Sequence, residues 1–372
     1  MRILFLSCLL ASVTAAAQTT ESGPVSTKVP ASGWAAYADA DCWRAYDAFP
    51  FSQLEGDWSK NYSPRNGRNT FFQRDHAAFG VAKDGWRLGW EFRQDAILQA
   101  DRATLDAVRL YRERQRPTGP VTVPLQADYT ALQAQGIRVG REFMGPTIAG
   151  RPSRIDISGA FYTGQKYREV NVSGSVSYSQ ADTYSFNASH HDADTGATFP
   201  FMNGDTNAKG ASLSIGATLP LTQRLTLQVQ ADDIYSGLRW TKLPVTDETA
   251  NSNVTSYDSN GYVNYRPLLS GKNQQVDRDI SFPRYTAATL SYDLDKWGMS
   301  AQVARYADVY IPTFSVSRRF GATTVKLNAE TRFNAIGIGV DSGYFHFLAQ
   351  TDTLNLSKSK SQRISLSFAL PF

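Results

Sequence analysis

The chain has 372 residues, 38 of them Lys or Arg against 34 Asp or Glu, and 12% are aromatic. The net charge of +4 is small and dispersed, with no Lys/Arg block, so nothing argues for a nucleic-acid partner. Outside the N-terminus no apolar run approaches the roughly 20 residues of a spanning helix, and two cysteines, Cys8 and Cys42, are too few for a stapled fold.

Residues 1–17 read as a secretory signal peptide. Arg2 supplies the positive start, 3–13 the short apolar core, and Ala15 and Ala17 the small residues before a cleavage site. Cleavage there removes Cys8 and leaves Cys42 alone, a small half-buried residue beside Trp43 in this reading. Residues 18–74 show no sustained period. Three readings stay open for them: a plug, a periplasmic segment against a barrel mouth, or a first strand near 43–54.

From residue 75 onward the chain reads as a β-barrel. Trp86, Leu88, Trp90 and Phe92 alternate with Arg87, Glu91 and Arg93, and the turn Lys83-Asp84-Gly85 precedes them, which predicts a hairpin. At 101–116 the period becomes helical. Ala103, Ala107, Leu110 and Tyr111 share a face, Asp101 stands where a cap is needed, and Pro117 ends the run. The helix carries Arg102, Arg109, Arg112, Arg114 and Arg116, a solvated face or a contact for acidic lipid headgroups.

Strands are predicted at 137–143, 154–162, 169–178, 183–191, 210–219 and 225–234, with turns at 163–164, 180–182 and 222–223. The stretch 239–283 loses the alternation and is rich in Asn, Ser, Asp and Gly, so it is predicted as a long extracellular loop. Strands resume at 285–292 and continue through 299–306, 310–319, 324–334, 336–340 and 344–350 to the terminus. Lys326, Glu330 and Arg332 share a strand face, and a cation on the lipid side of a barrel costs about 2–4 kcal/mol at the midplane. These residues, with Arg87, Glu91, Arg93 and Asp232, are therefore the candidate pore lining.

The final strand places Ile364, Leu366, Phe368, Leu370 and Phe372 on one face and Arg363, Ser365, Ser367 and Ala369 on the other. A terminal aromatic with a free carboxylate suits a membrane surface better than a core. This strand resembles the C-terminal signal strand of Gram-negative outer-membrane β-barrels. The resemblance implies location in the bacterial outer membrane, contact with outer-membrane lipid, and handling by the barrel-assembly machinery through Phe372, Leu370 and Phe368.

The expected fold is all-β, a transmembrane antiparallel up-and-down barrel of about 12–14 strands with one short loop helix. An interior of that size is wider than side chains alone fill. The expected function is a porin-like channel for small polar solutes. The alternative is a non-conducting surface or scaffold barrel that binds a partner through its long loop, and the third reading is an outer-membrane lipid-modifying enzyme. The enzyme reading rests on Asn187, Ser189 and His191, which alternate along one strand face, but residues two apart on one strand need not touch, and no enzymatic role is assigned. Asp192, Asp194 and Asp205 offer oxygen ligands without the spacing of a calcium loop, so neither metal nor cofactor is expected.

Overall fold

A computed structural model describes residues 33–53, 58, 61–179, 184–252, 255–257, 259, 263–265 and 268–372. The predicted signal peptide and the 180–182 turn lie outside the described residues. The strands are β1 (Trp34–Tyr46), β2 (Arg68–Lys83), β3 (Trp86–Asp101), β4 (Val121–Ile148), β5 (Arg151–Tyr178), β6 (Tyr184–Asp194), β7 (Asn207–Pro220), β8 (Leu225–Asn251), β9 (Thr255–Tyr257), β10 (Val263–Tyr265), β11 (Leu269–Ile280), β12 (Tyr285–Leu294), β13 (Trp297–Tyr306), β14 (Val309–Phe320), β15 (Thr323–Glu330), β16 (Ala335–Ser342), β17 (Phe345–Thr351) and β18 (Ser361–Pro371). One α-helix, α1 (Arg102–Arg112), follows β3.

The closed ring runs β1-β2-β3-β4-β5-β7-β8-β12-β13-β14-β15-β16-β17-β18 and back to β1, which makes 14 strands, each antiparallel to its neighbours. Closure comes from β1 lying against β18, with Ala35 opposite Pro371 and Ala45 opposite Ser361. Within residues 18–74, the described part therefore supplies the first strand, the connection above it and the start of the second.

Alternation explains the wall. In β12, Tyr285, Ala287, Thr289 and Ser291 are buried while Ala288, Leu290 and Tyr292 are exposed. The same rule exposes Phe79, Leu88, Ile137, Ile157, Phe314 and Leu327 on the outside. An exposed apolar band of this extent is the mark of a surface that meets lipid, not water. Polar and charged side chains turn inward.

The two rims differ. Both ends of the described chain lie on the rim of short turns, where Lys83 pairs with Trp86 across Asp84 and Gly85, both at positive φ (48° and 81°). This is the backbone of a tight two-residue hairpin turn, and it places the predicted hairpin where the sequence put it. On the opposite rim several connections are long, although β13 and β14 are joined there by the two-residue turn Ala307-Asp308. There residues 47–53, Trp58, residues 61–67 and α1 lie over the outer wall of β1 to β4, burying Tyr46, Phe49, Trp58, Phe71 and Leu105 in one cluster. Asp101 occupies the N-cap position of α1, but its side chain makes no capping hydrogen bond. The guanidinium of Arg109 lies over the ring of Tyr62 and that of Arg112 over Trp58. Tyr62 also donates to Asp106 at 2.7 Å; burial and this bond hold its hydroxyl pKa well above the usual value.

The 239–283 stretch corrects the sequence reading. It is not one loop: β8 runs unbroken to Asn251, and β11 pairs back along it from Leu269↔Ala250 to Ile280↔Leu238. Likewise 163–164 is not a turn but the interior of β5. β4 and β5 each have 28 residues and β8 has 27, against about 9–11 needed to cross the membrane, so their upper parts, with β6 and β11, stand above it. There both faces can be polar, and the alternation fades. Cys42 also departs from expectation, being exposed on the outer face of β1.

Candidate functional site: the lumen

The lumen is filled in three tiers. The middle tier is a layer of ion pairs, some within a strand or between neighbours and two, Arg74–Asp232 and Arg93–Asp233, between strands that are not neighbours. Arg74 of β2 bonds Asp41 of β1 at 2.8 Å and Asp232 of β8 at 3.0 Å. Arg363 of β18 holds the same Asp41 through two nitrogens at 2.9 and 3.2 Å. Arg93 of β3 bonds Asp95 at 2.9 Å and takes Asp233 of β8 in a two-bond fork at 2.9 and 3.0 Å. Asp95 also accepts from the Tyr306 hydroxyl at 2.7 Å and lies 3.1 Å from His76. Arg93, Asp95 and Asp233 are all buried. Forked guanidinium–carboxylate pairs are among the strong hydrogen bonds, and breaking a buried one by removing a single partner costs about 3–5 kcal/mol.

Two contacts reach furthest across the interior. β3 and β13 are six strands apart around a ring of 14, yet Tyr306 reaches Asp95, and Gln99 of β3 donates to the Ala307 carbonyl at 2.9 Å.

Above the ion pairs, toward the rim of long connections, the lumen is apolar. One cluster joins Trp43, Phe72, Tyr285, Tyr306, Ile311 and Phe333. The other joins Leu132, Tyr162, Tyr167, Leu238, Trp240 and Phe282. The tiers interlock through cation–ring contacts: Arg93 lies 3.9 Å from the Phe282 ring centre, Arg363 4.6 Å from Trp43 and Arg74 4.7 Å from Tyr285. Gly164 is required here because a Cβ would stand 2.6 Å from the Trp240 indole. At the mouth, Arg278 pairs with Glu169 at 2.6 Å, and His191 with Asp247 at 2.6 Å.

Around the ion pairs lies a cavity of about 210 Å³, lined by their own side chains and, among others, by Lys326, Asn328, His346, Gln302 and Ser315. It is large enough to admit water. The buried Asn328 Oδ1 and Glu330 Oε2 have no hydrogen-bond partner among the described residues, which suits a hydrated space.

Of the predicted pore residues, Arg87, Glu91, Arg93, Asp232, Lys326 and Glu330 all line this interior. Most are spent on protein partners rather than on a water path. Arg87 pairs with Asp156, Glu91 lies 3.6 Å from Arg138, and one Glu330 oxygen accepts the Phe333 N–H at 2.9 Å. Arg332 is absent from the cavity lining. It sits in the turn after β15 and grips Asp47 with bonds of 2.6 and 2.8 Å, because the strand ends at Glu330 and the alternation ends with it.

The sequence reading missed Asp41, Arg74, Asp95 and Asp233. Period two from Trp43 back to Asp39 was the available signal for Asp41. Asp233 gave none: its φ of 57° and a register shift opposite Leu213/Ile215 mark a β-bulge that turns two successive aspartates inward. The Ser/His hint does not assemble. The Ser189 hydroxyl lies 2.7 Å from that of Ser173, while His191 engages Asp247 and approaches Arg278. Asp192 and Asp194 are taken up by Arg168, and no metal-binding group of three ligands occurs among the described residues.

A closed 14-stranded antiparallel wall, apolar outside and charged within, defines an outer-membrane β-barrel. No family model and no curated protein matches the sequence. Among solved structures, the chain is similar to a deletion mutant of the monoaromatic hydrocarbon channel TodX, with 10% identity, 93% of each chain covered and a TM-score of 0.46. It is also similar to the toluene transporter TbuX of Ralstonia pickettii, with 8% identity, 93% and 92% covered and a TM-score of 0.33. A FadL homologue of Pseudomonas aeruginosa gives 11% identity, 91% and 89% covered and a TM-score of 0.22.

Proposed function

We propose that this barrel is a channel for small, predominantly apolar molecules, shut in the conformation described. The observation that carries the reading is the upper lumen, where Trp43, Phe72, Tyr306, Phe333, Tyr162, Phe282, Trp240 and Leu238 present aromatic and aliphatic surface on the entry side. An apolar solute replaces such contacts at little cost, whereas a sugar or ion entering there loses hydration without compensation. The expected polar-solute pore is served less well by this lining. Its candidate charges are mostly locked on one another, and Tyr306–Asp95 crosses the path a hydrated solute would take.

The test is uptake by Gram-negative cells with an intact outer leaflet, with and without the protein, using radiolabelled toluene and a radiolabelled sugar. Faster initial toluene entry with unchanged sugar entry supports the proposal. Faster sugar entry alone overturns it in favour of the polar porin. The filled interior and the β6/β8/β11 extension favour one second reading, a surface barrel that binds a partner, and unchanged entry of both labels points there.

A further inference from the structure

Three places on the short-turn rim share one construction. β3 opens on Trp86 directly opposite Arg141 of β4, whose guanidinium lies 4.7 Å from that ring and 4.9 Å from Phe143 two residues on. β13 opens on Trp297 directly opposite Arg318 of β14, 5.0 Å from that ring and 5.0 Å from Phe320, again two residues on. β1 opens on Trp34 opposite Lys83 of β2, whose ammonium lies 4.9 Å from the indole, and Phe372 stacks on the same indole at 6.5 Å.

In each case a strand begins with Trp, its cross-strand neighbour is a cation, and a Phe closes the group. All three groups face outward, with Trp34 46%, Trp86 49% and Trp297 49% exposed. Elsewhere along the wall most cations turn inward, and the outward-facing Arg305 and Arg44 hold Asp308 at 2.8 Å and Asp75 at 2.9 Å. Here the described residues give Lys83, Arg141 and Arg318 no carboxylate partner, and Glu142, beside Arg141 in sequence, lies on the other face near Arg154.

We infer that these three groups are binding sites for the headgroups of anionic phospholipids in the periplasmic leaflet. An indole at this depth is half in acyl chain and half in headgroup, and the cation over its face is held at the phosphate level. Guanidinium N–H groups not directed at the ring match a phosphodiester, which accepts two parallel bonds. The ring beneath receives the glycerol and first methylenes. Lys83 acts as a point charge at the third site, next to the strand that closes the barrel.

Native mass spectrometry of the detergent-released barrel with phosphatidylglycerol or phosphatidylcholine tests this. The wild-type protein should retain up to three phosphatidylglycerols, K83Q, R141Q and R318Q should each lose one, and the triple variant should retain none. Phosphatidylcholine retention should be weak and equal in all. Heat-modifiable migration on gels reports that each variant is folded; if the triple variant does not fold, the single variants decide. Unchanged phosphatidylglycerol retention overturns the inference, as does an equal loss of both lipids, which would mean that the substitutions only disturb the aromatic belt.

Discussion

Arg93 and Asp233 meet through two parallel hydrogen bonds, although 140 positions separate them and four steps around the ring lie between their strands. The fork also places the Arg93 guanidinium under the Phe282 ring. The pair thereby joins the charged layer to the apolar tier above it.

Asp233→Ala leaves Arg93 buried with Asp95 alone and should lower stability by about 3–5 kcal/mol. Replacing both partners, as Arg93→Met with Asp233→Leu, should recover only part of that loss: no buried guanidinium is then left without Asp233, but Asp95 loses Arg93 and keeps only His76 and the Tyr306 hydroxyl. The temperature at which the folded gel band converts to the unfolded one reads both. A double variant no more stable than Asp233→Ala would show that the fork is not the interaction at stake.

Tyr306→Ala removes both the hydroxyl that binds Asp95 across the lumen and a ring of the upper tier. In planar bilayers the wild-type barrel should be mostly silent and the variant should show openings. Equal silence in both would place the constriction elsewhere.

Gly164→Ala sets a methyl against the Trp240 indole and the Ala208 Cβ, at 2.6 and 2.8 Å before relaxation. Overpacking of this kind costs about 1–3 kcal/mol. The same gel assay should register a fall, and Gly159→Ala, whose nearest atom lies at 3.6 Å, should change little.

Phe372 donates its N–H to the Trp34 carbonyl at 3.0 Å and stacks on that indole, so the last residue helps seal β18 to β1. Deleting it should reduce surface levels far more than Leu354→Ser, since Leu354 is 97% exposed in a loop. Quantitative cell-surface labelling compares them. Equal levels would remove Phe372 from the assembly step.

The strands from β12 to β18 were legible because mostly short turns and a clean apolar face set their limits. β1 was not, because its outward face is Ala36, Ala38, Ala40 and Cys42, too small to announce itself against Asp39 and Asp41. The upper half of β8 and all of β11 were hidden for another reason: above the membrane neither face needs oil, so Thr246-Asp247-Glu248-Thr249 reads as loop while pairing as strand. Lumen-facing charges such as Arg93 and Asp232 followed from period two. Their partners did not, because register between distant strands is a property of the closed ring, and the bulge at Asp233 breaks the very period that made the others visible.

The central claim is that an apolar molecule has a place in the upper lumen. A crystal structure of the barrel soaked with bromobenzene locates it directly through the anomalous signal of bromine. The account predicts bromine inside the ring, among Tyr162, Trp240, Phe282, Phe72 and Phe333. Bromine found only outside the wall, in the detergent belt, with the lumen unchanged, would contradict it.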